Sequence, residues 1–174
     1  MIEELSTKRL TLRSPRRGDA PSIAAGLGNF NVTRFLTKVP FPYTEQDAGD
    51  WIDRVSSYPP SQEAFVIEQD EAGVIGVIGL ESELGYWLAE PHWGHGYATE
   101  AAAAALAWYF ATVNAESIAS GAHEDNPASL NVQRKLGFEI TGERTDFSIS
   151  RRQDVRIVRT TLTRAIFERK GYLS

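Results

Sequence analysis

Short runs of alternating or continuous apolar residues, separated by polar turns and helical stretches, set the layout of this chain. Arg9-Leu10-Thr11-Leu12-Arg13 alternates polar and apolar side chains and predicts a half-buried first strand. Ala64–Glu68 and Val74–Leu80 flank Asp70-Glu71-Ala72-Gly73, which predicts a hairpin with a short glycine-containing loop. Glu83–Leu88 supplies the next strand, Ser117–Ala122 another, and Phe138–Thr141 with Val155–Leu162 a closing antiparallel pair. Between these lie the helices. Asp19 is the expected cap of a helix through Leu27, with Pro21 in its first turn. A short helix is expected over Asn31–Leu36, then a stiff aromatic loop, Val39-Pro40-Phe41-Pro42-Tyr43, that cannot be helical. Thr44 and Asp47 form a capping box for a helix running to about Ser57. Asn126 caps a helix through Lys135, and Gly137 stops it. The mixture reads as a single α+β domain over residues 1–174.

One stretch adds chemistry to this layout. Trp93-Gly94-His95-Gly96-Tyr97-Ala98-Thr99-Glu100 lies between the strand at Leu84–Leu88 and a helix, Ala101–Phe110, dominated by alanine, the best helix former. Glycines at such a junction take positive φ and let a ligand approach bare backbone. The first turn of the helix adds unpaired N–H groups and the positive end of its dipole, which suits phosphate oxygens. The stretch therefore reads as a pyrophosphate cradle, against the plainer alternative of tight-turn packing. It carries neither the Lys-Ser/Thr pair of a P-loop nor the third glycine of a dinucleotide site, so backbone amides would do the holding.

Composition narrows the classes. The 174 residues, 42% hydrophobic and 24% charged, can bury a core. A formal net charge of −5 argues against a general nucleic-acid binder and agrees with a basic or amine substrate. The absence of cysteine excludes disulfides, thiolate catalysis and cysteine zinc sites. Met1-Ile2-Glu3-Glu4-Leu5 lacks the apolar core of a signal peptide, and no run approaches a membrane span, so a cytoplasmic setting without membrane partners is expected. His92 and His95 straddle a glycine turn without a completing carboxylate, so no metal is expected.

Taken together, these segments resemble the GNAT superfamily of N-acetyltransferases, and within it the branch of ribosomal-protein N-terminal acetyltransferases (RimJ/RimL-like). The resemblance rests on Lys8–Arg13 as the opening strand, Ile75–Leu80 as the hairpin strand, Glu83–Ala101 as the cofactor motif and Asn126–Phe138 as a second cofactor motif. Where that family often has Gln or Arg ahead of the first glycine, this chain has Trp93. The resemblance implies a mixed, mostly antiparallel twisted sheet of about six to seven strands with a central splay, flanked by about four to five helices. It further implies acetyl-CoA as acetyl donor, an amine acceptor that is a small molecule or a peptide N-terminus, and a homodimer. The cofactor would be held by Trp87, Leu88, His95, Gly96, Tyr97, Ala98, Thr99, Asn126 and Ser129, its pantetheine arm lying in the splay like an added strand.

Acetyl transfer needs a neutral amine, a polarised thioester carbonyl and a proton for the leaving thiolate. Glu83 is the candidate base, since strand alternation puts it on the face of Gly85 and Trp87; the alternative is a solvated carboxylate at a hairpin end. Glu81 shares its parity further out. Ser129 is the candidate acid, against a first-turn serine that only supports its helix. Tyr43, Glu81 and Trp87 are candidate acceptor contacts, with core packing the rival reading for Tyr43, and Trp51 expected in the core. With no cysteine to carry an acyl group, the amine must attack directly in a ternary complex.

Overall fold

Strand alternation sorts the apolar residues of one central sheet onto two faces, and helices cover both. The computed structural model describes residues 4–59 and 63–172. Its strands are β1 (Leu5–Ser6), β2 (Thr11–Arg13), β3 (Glu63–Gln69), β4 (Gly73–Leu80), β5 (Glu83–Leu88), β6 (Ser117–His123), β7 (Glu139–Ser148) and β8 (Gln153–Thr163). They form one sheet in the order β1-β2-β3-β4-β5-β6-β8-β7. Every neighbouring pair is antiparallel except β5 and β6. The helices are α1 (Ala20–Leu27), α2 (Phe30–Thr33), α3 (Glu45–Val55), α4 (Tyr97–Thr112), α5 (Pro127–Leu136) and α6 (Arg164–Arg169).

The larger core lies between the sheet and α4, α5 and α6. Phe65, Ile67, Ile78, Leu84 and Leu88 meet Ala101, Ala105, Leu106, Phe110, Leu136 and Phe167 there. Alanine at Ala101, Ala102 and Ala105 keeps this face of α4 thin, and all three are fully buried. On the other face Val66 and Val77 pack against Ile23 and Leu27 of α1 and Ala48 and Ile52 of α3. Among the described residues no helix is long and apolar enough to cross a membrane.

The sheet has one strand more than expected at its beginning, and the helices one more at the end. β1 spans only Leu5–Ser6, too short for a periodic signal. α6 follows β8 without a connecting loop, its start marked by the Thr163 hydroxyl, which accepts the Ile166 amide at 3.3 Å. β7 also runs to Ser148, well past Thr141, because the polar residues Glu143–Asp146 occupy an edge strand, where charged side chains are tolerated. α2 is shorter than expected, ending at Thr33, with Asn29 as its cap. Asp19 makes no side-chain cap for α1; its carboxylate takes both Nη groups of Arg13 at 2.9 Å and the Arg16 amide at 2.7 Å. The buried Arg13 guanidinium outcompetes the helix amides for it. The Thr44–Asp47 capping box is present in full.

Candidate active site

The parallel pair β5–β6 is joined at Glu83–Ala119 and Leu84–Ser120 alone; past that point the strands diverge. The Ser120 hydroxyl donates to the Leu84 carbonyl at 2.8 Å, closing the vertex of the splay. The Ala89 amide donates to Ile75 at 2.8 Å and Trp87 pairs with Val77, so these amides serve β4. Alternation then turns the Leu88 N–H the other way, into the splay. The Leu88 carbonyl accepts the Trp93 indole N–H at 2.8 Å, which ties the strand end to the following loop.

That loop is built for close approach of a ligand. After a 3₁₀ turn at Glu90–His92, Gly94 and Gly96 take φ of +75° and +80°. Gly96 is the N-cap of α4, with no side-chain hydrogen bond to the first-turn amides. Those amides, at Tyr97, Ala98 and Thr99, have no partner inside the helix. A Cβ placed at Gly94 would meet nothing within 4 Å, and at Gly96 only Arg9 Nη2 at 3.5 Å, so this backbone surface is uncovered. The residues present fit a diphosphate group.

Arg9 was not among the candidate site residues, yet it braces this loop. Its Nη1 donates to the His95 carbonyl at 2.9 Å and its guanidinium lies 4.6 Å from the Tyr97 ring centroid. Glu100 accepts Arg9 Nε at 2.7 Å, the Arg9 amide at 2.9 Å and the Thr7 hydroxyl at 2.6 Å. The contact spans more than ninety positions of sequence, beyond the reach of local patterning.

Across the splay, the Asn126 side chain accepts the Ser129 amide at 3.3 Å and caps α5. The Ser129 hydroxyl lies 2.8 Å from the Tyr86 hydroxyl, which also contacts the Ser129 carbonyl at 3.1 Å, and 3.4 Å from Gln133 Nε2. Burial pushes the Tyr86 phenol above its ordinary value, so it stays protonated. Tyr86 is a second residue without a sequence assignment, though its place between the apolar Leu84 and Leu88 on the α5 side of the sheet was readable from alternation.

The structure thus gathers Leu88, the His95–Thr99 loop, Asn126 and Ser129 around one splay. The side chains of the other candidates have different neighbours. The Trp87 ring packs against α1, where a Cβ on Gly26 would come within 2.6 Å of it. Tyr43 is half-buried against the apolar cluster of α1 and α3, its phenol pushed up to about 12 by burial. Glu81 is exposed at the β4–β5 turn. Glu83 stands at the vertex with both carboxylate oxygens taken by Arg144, at 3.0 and 3.2 Å, and Arg144 also reaches Asp146 at 2.8 Å. Hydrogen bonding to Glu83 holds the Arg144 guanidinium above its ordinary value. Among the described residues no group of three or more His, Cys, Asp or Glu could hold a metal ion.

Comparison with known proteins follows the same lines. Residues 9–139 match the family model described as an acetyltransferase (GNAT) domain. The chain is 30% identical over 159 residues to an uncharacterized N-acetyltransferase, p20, of Bacillus licheniformis, across 84% of this chain and 88% of that one. It is 25% identical to the spermidine N(1)-acetyltransferase of Vibrio cholerae, across 85% of this chain and 90% of that one. In fold it is similar to RimJ of Mycobacterium smegmatis, solved in complex with CoA-disulfide, with a TM-score of 0.77 at 19% identity over 90% of this chain and 82% of that one.

Proposed function

From its place in the GNAT family of acetyltransferases, to which this chain belongs, we propose that it moves acetyl from acetyl-CoA to a primary amine by direct attack in a ternary complex. Acetyl-CoA, when bound, supplies the acetyl group already activated as a thioester. The single observation that carries the reading is the uncovered Gly94–Thr99 backbone at the head of α4, opening beside a splay whose Leu88 N–H has no strand partner.

Each residue of the chain then has a task. The amides of Tyr97–Thr99 hold the diphosphate at the positive end of α4. The Leu88 N–H offers a donor to a carbonyl oxygen placed in the splay, and it does so from a strand already ordered, without reorganisation. Asn126 caps α5 through Oδ1 and keeps its Nδ2 for an amide carbonyl of the pantetheine arm. Ser129 holds a proton for the departing sulfur, and Tyr86 stands behind it as the positioning hydroxyl that replenishes it.

The acceptor follows from proton arithmetic. With Glu83 engaged by Arg144, the vertex orients an acceptor more readily than it strips a proton from one. An α-amine of pKa near 7.7–8.0 is neutral in roughly one molecule in ten at pH 7, a lysine in about one in a few thousand. An acceptor of the first kind, such as a peptide or protein N-terminus, fits a site with a weak base. Likeness in fold to a ribosomal-protein-S5-alanine acetyltransferase of Vibrio fischeri supports that acceptor, whereas the spermidine enzyme speaks for a polyamine.

The same Glu83–Arg144 pair favours one rival, a CoA-binding module without turnover. Calorimetry with acetyl-CoA and a thiol-release assay over α-amines, lysine peptides and polyamines separate the two. The transfer reading expects binding together with turnover, fastest on α-amines. Binding with no turnover on any class leaves the sensor, and no heat at millimolar acetyl-CoA removes both.

A further inference from the structure

Beyond the transfer centre, α2 and the β7–β8 turn meet at a groove of about 350 Å³ lined by Phe30, Arg34, Ser150, Arg151 and Gln153. On the basis of the acetyl-transfer reading, we propose that this groove is an anion subsite of the acceptor pocket, taking a carboxylate or phosphate carried by the amine that is acetylated.

Charge is the first support. The guanidinium groups of Arg34 and Arg151 share one carboxylate, Asp125, at 3.1 Å and 2.8 Å, leaving one positive charge over at the groove. Hydrogen bonds from Arg151 hold the Asp125 carboxyl below its ordinary value, so it stays ionised and fixed in place. Arg151 is committed to structure: its Nε donates to the Arg34 carbonyl at 2.7 Å and both Nη groups go to Asp125. Arg34 is not. Among the described residues its side chain makes a single hydrogen bond, from Nη2 to Asp125, while its Nε is buried without a partner. A guanidinium anchored through Nη2, lying 4.9 Å over the Phe35 ring and 39% exposed, keeps its Nη1 edge for an anionic oxygen.

Position is the second. Asp125, held by two arginines of the groove, immediately precedes Asn126, the cap of the helix that carries Ser129, and so ties that helix to the groove. It lies at the His123 end of β6, where Thr37 contacts the His123 ring at 3.1 Å. Phe30, 41% exposed and edge-on to Phe41 at 5.1 Å, gives the groove an apolar wall for the carbon skeleton that bears the anion. A site with one net positive charge and an aromatic wall selects an amino acid, an acidic or free-carboxylate peptide, or a phosphorylated amine over a polyamine.

The test uses pairs of acceptors that share an amine and differ by one anionic group: tyrosine and tyramine, Ala-Gly-Gly and its C-terminal amide, O-phosphoethanolamine and ethanolamine. Wild type is expected to prefer the anionic member of at least one pair by about tenfold in kcat/KM, the pair showing whether carboxylate or phosphate is read. Arg34→Met, which forfeits one hydrogen bond and keeps the fold, brings that ratio close to one, and Arg34→Lys restores part of it. Equal rates within every pair, or a preference that survives Arg34→Met, overturns the subsite. If no amine turns over although acetyl-CoA binds, the transfer reading has failed on its own account. Melting curves of the acetyl-CoA-loaded protein with glutarate and with inorganic phosphate then decide: a rise lost in Arg34→Met supports the subsite, and no rise at tens of millimolar overturns it.

Discussion

The two sides of the splay are held by different forces. On the side of the proposed cofactor cradle, β5, α4 and α5 rest on a continuous apolar core, the Arg9–Glu100 pair braces the glycine loop, and the groups offered are backbone amides. On the side of the proposed acceptor groove, ion pairs and polar contacts add to a smaller apolar core. Arg13 ties β2 to Asp19 and Glu68, Glu90 accepts Asn29 and Asn31, Asp125 takes Arg34 and Arg151, and Glu83 takes Arg144. A diphosphate binds wherever amides point at it, so its half can be built from backbone and alanine. Acceptors differ in charge and shape, and a half built from side chains can be re-specified without disturbing the half that holds the donor.

The largest break in this contrast is expected at Asp19→Asn. Arg13 and Asp19 side chains are each only 9% exposed, and removing the aspartate charge leaves a buried guanidinium with Glu68 alone to balance it. Such a loss costs about 2–3 kcal/mol, visible as a lower denaturant midpoint. Acid should act through the same group. Burial pushes the Asp19 carboxyl up, but the bonds from Arg13 and Arg16 outweigh it and the carboxyl ends below its ordinary value. A carboxyl lowered in the folded state stabilises above its unfolded value, near 3.9, and that contribution is lost as pH falls through the folded value. Wild type should therefore lose stability as pH falls below about 4, with a slope that Asp19→Asn reduces. An unchanged acid limb would move the anchor of the α1 layer to its apolar contacts.

The same contrast explains what could be read from the chain. Trp93–Glu100, the Thr44–Asp47 box and Asn126–Gly137 are local signals, each written within a few residues, and each marks the element it predicts. The layered fold followed from strand alternation and helix caps for the same reason. Arg9–Glu100, Glu83–Arg144 and Arg34–Asp125 join residues sixty to ninety positions apart, and no periodicity records such a partnership. Asp19 shows the failure most plainly: beside Ala20 and Pro21 it looks like a helix cap, and only the approach of Arg13 redirects it. β7 runs past Thr141 because its charged middle lies on an edge strand, with Glu143 paired to Arg156 of β8 and Arg144 to Glu83 of β5, and no apolar alternation marks it.

Gly96→Val tests the cofactor side without removing any charge, its Cβ landing 3.5 Å from Arg9 Nη2. Its φ of +80° is strained for a β-branched residue, at about 1–2 kcal/mol, and the new side chain stands on the surface offered to the diphosphate. Acetyl-CoA affinity measured by calorimetry should fall about tenfold or more while the amine KM stays where it was. A variant that instead raised both constants together would mean that the two sides are coupled through the loop, with the Arg9–His95 contact as the obvious link.

The smallest expected effect is the most discriminating for chemistry. In Glu83→Gln the amide keeps one oxygen for Arg144 and loses the charge and the second acceptor, so a carboxylate whose task is orientation should be missed by no more than a few fold in kcat/KM. Removing a working general base costs about 10²–10⁴-fold and takes the acidic limb of the pH profile with it. If orientation is the role, the profile of wild type and variant alike should follow the ionisation of the amine itself, rising through pH 8 for an α-amine and continuing to rise past pH 10 for a lysine side chain. Running both acceptors through both proteins separates the pKa of the substrate from that of the enzyme, because only the former moves when the amine is exchanged. A limb that stays fixed across amines and vanishes in Glu83→Gln would return the base role to that carboxylate and reduce Arg144 to the group that tunes it.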